Sequence, residues 1–149
     1  MIGDFRPDGG TQSYYCLYPA IVTDIVDTED LGRVEVKFPW LGEEGDREVR
    51  AWATLLSPYA DSEQGFQVLP EKDSEVVVGF EAGNLRRPYI VGACWNGRER
   101  MPVRAEAANN KRVIKTRAKS VLEFDDTVGA AKVTLSMQNG HKLEMDESG

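Results

Sequence analysis

A single histidine, His141, and two cysteines, Cys16 and Cys94, are spread over 149 residues. One histidine leaves no multi-histidine metal site within one chain, and no catalytic triad is built on it. The cysteines lack CxxC spacing, which argues against a zinc site or a disulfide framework. They sit in apolar, strand-like stretches and are expected to be buried reduced thiols. No apolar run reaches the roughly 18 residues that span a bilayer, and the opening MIGDFRPDGG lacks the basic start and apolar centre of a signal peptide. The chain is therefore expected to be made in the cytoplasm, which does not exclude later export within a larger machine. Cations are also in deficit, with 18 Lys and Arg against 25 Asp and Glu and a net charge of −7. Such a surface repels phosphates and anionic lipid. The one basic run, Lys111, Arg112, Lys115, Arg117 and Lys119, alternates with other residues and reads as a solvated strand face.

What the chain does hold is strand signal. Its length suits one ordinary domain with a small appendage. Five β-type runs follow one another from Tyr14: YYCLYPAIVTDIVD, GRVEVKFPWLG, RAWATLLSP, SEVVVGFEAG and RPYIVGACWNG. In the second, Val34, Val36 and Phe38 alternate with Glu35 and Lys37, the period of a strand with one buried face. No helical period intervenes, so an all-β barrel is expected. Five strands with a long first one fit an OB-fold better than a seven-stranded sandwich. The expected core or interface comprises Val34, Val36, Phe38, Trp40, Trp52, Val76, Val78, Phe80 and Trp95. Residues 1–13 read as an N-terminal arm, 14–97 as the barrel, and 98–110 as a linker with room for one helical turn.

Residues 111–149 repeat at an offset of twenty-one. VIKTRAKSVLEFDDT matches TLSMQNGHKLEMDES, so that Ile114 falls on Leu135, Thr116 on Met137, Leu122 on Leu143 and Phe124 on Met145. Each copy has two strand-like pieces around a turn, and Asn139-Gly140 is a strong turn signal. Isolated hairpins have no second layer to enclose those side chains. Their apolar stripe needs the barrel or other copies of the chain as neighbours. The charged linker and the close repetition favour other copies, and three sheets form the smallest closed prism. The expected trimer core is Ile114, Thr116, Leu122, Phe124, Leu135, Met137, Leu143 and Met145.

These fragments, in order, resemble the spike proteins of contractile tails: GRVEVKFPWLG, AWATLLSPYA, GFQVLPEKDSEVVVGFEAGNLRRPYIVGACWNG and NNKRVIKTRAKSVLEFDDT. That family includes phage baseplate assembly protein V and the valine-glycine repeat spikes of type VI secretion systems. The resemblance implies an OB-fold followed by a short, intertwined, triple-stranded β-helix, a trimeric β-prism. It implies a homotrimer on a baseplate hub, a tip protein of the proline-alanine-alanine-arginine repeat (PAAR) type at the C-terminal end, and a target membrane met on firing. The particle would be a phage tail or an injection device, and the role mechanical rather than enzymatic, without cofactor or nucleic acid. Only about thirteen residues precede the first strand, so the hub would be a separate protein. The short linker leaves no room for an inserted lysozyme.

Other residues invite chemistry and receive plainer readings. His141 shares parity with Leu143 and Met145 and would face a trimer axis as an ion ligand, or else lie exposed after its turn. The pairs Asp125-Asp126 and Asp146-Glu147 lack a calcium loop and read as solvated strand ends. Glu43, Glu44, Asp46 and Glu48 form an acidic connection or a hub-docking surface. Trp40, Trp52, Trp95, Tyr59 and Phe66 are what a stand-alone OB-fold module would stack on oligosaccharide or single-stranded nucleic acid, the competing function.

Overall fold

In the computed structural model, residues 13–44 and 47–148 are described. One compact unit ends at Cys94 and a second begins at Trp95.

The first unit is a closed barrel of five strands in the order β1-β2-β5-β9-β8. These are β1 (Tyr18–Asp24), β2 (Arg33–Lys37), β5 (Arg50–Leu55), β8 (Glu75–Phe80) and β9 (Pro88–Ala93). Two-residue ribbons β3 (Glu43–Glu44) with β4 (Arg47–Glu48), and β6 (Ala60–Asp61) with β7 (Gln64–Gly65), lie in the connections. Alternation places one side of each strand inside: Ala20 and Val22, Val34 and Val36, Ala53, Val76 and Val78, and Ile90 are all at most 1% exposed. Phe38 and Phe80 complete that core. Every pairing but one is antiparallel, and the barrel closes through the parallel pair β5–β9 at Thr54↔Tyr89 and Leu55↔Ile90. Closure removes the free strand edges that would otherwise recruit another chain.

Two expectations are corrected. Cys16 and Cys94 are exposed, not buried. Cys16 precedes β1 and Cys94 follows β9, so neither takes an inward position on a strand. Residues 98–110 hold bends and turns and no helical turn. Asp46 of the acidic connection, and residues 1–12 of the arm, lie outside the described residues.

The second unit contains a four-stranded antiparallel meander of β10 (Lys111–Lys115), β11 (Val121–Asp125), β12 (Lys132–Ser136) and β13 (Lys142–Asp146). All four strands have five residues, and β10 and β11 recur as β12 and β13 at an offset of twenty-one. The register runs without a bulge across all three pairings. Tight turns close the hairpins, with Thr116 N donating to Ser120 O and Met137 N to His141 O, both at 2.9 Å.

Candidate assembly surfaces

Directly opposed residues of a sheet share a face, and the continuous register therefore sorts the second unit's side chains into two unlike faces. One carries Lys111↔Asp125↔Lys132↔Asp146 and Val113↔Glu123↔Thr134↔Glu144. Ion pairs lace this face: Lys111 Nζ lies 2.6 Å from both Glu123 and Asp125, and Lys142 Nζ pairs with Glu144 at 2.5 Å. The Lys111 ammonium, with the Thr127 hydroxyl and backbone N–H, lowers the Asp125 carboxyl from its ordinary 3.8 to about 2. Asp125 is the one buried charged side chain among the described residues, which corrects its reading as a solvated strand end. Its position opposite Lys111, with Thr127 turning back onto it, encloses it, while its neighbour Asp126 stays exposed.

The other face carries Arg112↔Phe124↔Val133↔Met145 and Ile114↔Leu122↔Leu135↔Leu143. Seven of those eight residues are apolar. They are poorly covered: Ile114 is 56% exposed, Phe124 42%, Leu135 50%, Leu143 62% and Met145 57%. Thr116 and Met137 sit one step beyond the strands, both exposed. Val133 joins this face although the repeat alignment did not single it out. Its partner at minus twenty-one is Arg112, and period-two alternation along KVTLS is the signal that finds it. His141 is exposed in its turn, its N–H donating to Asn139 Oδ1 at 3.3 Å. No group of three or more His, Cys, Asp or Glu that could hold a metal occurs among the described residues.

The barrel has two different ends. Where β1 starts and β2 and β8 finish, Tyr14, Tyr18, Phe38, Trp40 and Phe80 form a mutual aromatic cluster with ring centroids 4.5–5.8 Å apart. Trp40 is half-buried and its Nε1 donates to Pro19 O at 2.8 Å. Tyr14 N donates to Gly83 O at 2.9 Å, which ties the approach to β1 onto this end. Tyr14 and Tyr18 escaped the sequence-based core list, and the aromatic density of YYCLY was the available signal.

At the other end an open groove of about 740 Å³ lies between the β1–β2 connection and the segment after β5. Asp27 organises its rim: its carboxylate accepts the N–H groups of Glu29, Leu31 and Arg33 and pairs with the Arg33 guanidinium at 2.8 Å. The Arg33 side chain holds that carboxyl far below the usual range. Tyr59 and Phe66 border the groove, 52% and 53% exposed. Asp30, Asp61 and Glu63 also line it, and its one arginine is committed to Asp27 and Glu29. A phosphate chain would meet like charge there. Trp52 is half-buried on the barrel wall under the Arg33 guanidinium, and Trp95 is 63% exposed. The aromatics named for ligand stacking are therefore not gathered on one face, since only Tyr59 and Phe66 line the groove. Among the described residues, no helix is long and apolar enough to cross a membrane.

The barrel has a counterpart among known families. Residues 18–95 match the type VI secretion system/phage-baseplate injector OB domain. The chain belongs to that family. It is 27% identical over 116 residues to the type VI secretion system spike protein VgrG3 of Vibrio cholerae, covering 74% of this chain and 11% of the relative. A Vibrio cholerae protein named actin cross-linking toxin VgrG1 matches to the same extent. Spike protein VgrG1b of Pseudomonas aeruginosa is 23% identical over 128 residues, 80% of this chain and 17% of the relative. This injector OB-domain chain thus spans about a tenth to a sixth of the length of these relatives. The matches with VgrG3 and VgrG1b cover more of the chain than the barrel's 78 residues, so they extend beyond it.

Proposed function

We propose that the chain is the central spike subunit of a contractile injection device or phage tail baseplate. Three copies associate through their C-terminal sheets into a rigid needle, a short triple-stranded β-prism. The division of labour follows the expected boundaries: arm 1–13, OB barrel 14–97, linker 98–110 and needle segment 111–149. The barrel end docks on the baseplate hub of the tail tube, the far end of the needle receives a small tip protein of the PAAR type, and contraction drives the assembly through a target membrane. The role is mechanical and needs neither catalysis nor a cofactor.

One observation carries this reading: a bulge-free sheet with a laced polar face and an apolar face left in water. Five of the seven apolar side chains on that face are 42–62% exposed, so much of their burial remains to be gained on association. A ligand-binding barrel has no use for such a sheet. The spike names of the relatives support the same role.

Light scattering on the full chain and on a version ending at Asn110 tests it. The expected result is a trimer that becomes monomeric, or weakens greatly, on loss of the tail. A monomeric full chain would overturn the proposal and favour the stand-alone binding module.

A further inference from the structure

The apolar face of the second unit consists of two columns that differ in chemistry. The middle residues of the strands, Val113, Glu123, Thr134 and Glu144, point to the ion-paired face. They therefore separate an aliphatic column (Ile114, Leu122, Leu135, Leu143) from a mixed column (Arg112, Phe124, Val133, Met145) on the opposite side. Arg112 belongs to the mixed column yet is satisfied locally, donating to Asn109 O and pairing with Asp126 at 3.0 Å.

Strand length decides how such faces can close. Five residues span roughly 17 Å, and facing sheets pack about 10 Å apart. If the strands run across the threefold axis, three walls of that width leave about 5 Å from each wall to the axis. That is half the ordinary sheet spacing, so the side chains fill the interior. If they instead ran along the axis, twelve strands would close a barrel wider than the eight-stranded size that side chains can just fill. The first arrangement gives a dry core.

In that prism we propose that each corner is heterologous: the aliphatic column of one copy packs against the mixed column of the next, with Leu135 against Val133 at one level and Leu122 against Phe124 at another. The partner is a second copy of this chain. A cyclic trimer cannot pair a surface with itself, so unlike columns must meet. On three of the four strands the mixed column offers an apolar residue at the level of a leucine, Phe124 with Leu122, Val133 with Leu135 and Met145 with Leu143. This inference rests on the trimeric reading above.

Disulfide trapping tests it on the full chain with Cys16 and Cys94 replaced by serine. Val133→Cys and Leu135→Cys are made separately, one with a longer tag, then unfolded, refolded together and oxidised. Either single variant contains no second thiol, so every link joins two copies. The expected result is linked pairs holding one chain of each kind, with each variant alone running as a monomer on a denaturing gel. Links within one variant alone would show like columns meeting, and the corner assignment would fall. A trimer by light scattering under reducing conditions that forms no mixed link would also overturn the assignment while leaving the trimer standing. A monomer under those conditions would remove the trimeric reading and this inference together.

Discussion

At the scale of single residues, conformation and close approach separate positions that look alike in sequence. Gly83 and Gly129 both adopt positive φ, +74° and +73°. A Cβ on Gly83 would lie 3.0–3.1 Å from Tyr15, Ser13 and Tyr14, whereas one on Gly129 would meet nothing within 4 Å. Gly83→Ala therefore carries a left-handed backbone penalty and a clash with the segment that seals the aromatic end of the barrel. The expected loss is about 1–3 kcal/mol by denaturant unfolding, against about 1 kcal/mol for Gly129→Ala, which has the backbone term alone. Equal losses would mean that the contact with residues 13–15 contributes nothing. The inward valines were readable in advance because their alternation is local. Gly83 was not, because its neighbour comes from seventy residues earlier in the chain. The exposed cysteines mark the same boundary: an apolar stretch shows that a strand is near, but not where its last inward residue falls.

At the scale of elements, the ladder on the polar face makes the second unit sensitive to acid. Lys111 and Thr127 lower the Asp125 carboxyl from 3.8 to about 2. Because the folded value lies below the unfolded one, this contribution is fully present above about pH 4 and is lost as the pH falls toward 2. Asp125→Asn should lower stability at neutral pH, and its difference from the natural chain should shrink between pH 4 and pH 2. Thermal unfolding of both proteins at a series of pH values checks this, and a constant difference across that interval would contradict it. The four tail strands were legible from the repeat, whose period carries over into strand lengths and register. The two-faced nature of the sheet needed the register itself, since Arg112 interrupts the apolar repeat and hides Val133. The ribbons β3–β4 and β6–β7, and the parallel closure β5–β9, had no local signature at all. A two-residue pairing is set by the loops that carry it, and a closing pair joins strands more than thirty residues apart.

At the scale of the whole molecule, the two faces of the C-terminal sheet should respond differently to solvent. Surface ion pairs contribute little each and are screened when the Debye length falls to about 3 Å at 1 M salt. Apolar burial is not screened, so an assembly held by the apolar face should survive conditions that silence the polar one. The mass of the proposed trimer should therefore be unchanged in 1 M sodium chloride. Leu135→Asp, by contrast, places a carboxylate at the centre of the apolar face, where it would be buried only on association and without a partner. That variant should be monomeric at every salt concentration, and its barrel should keep its unfolding midpoint, since Leu135 is not in the barrel's core cluster. Light scattering and denaturant unfolding on the same samples read both quantities. Dissociation in salt with Leu135→Asp still trimeric would show the ion-paired face to be the interface, and would turn the sheet inside out.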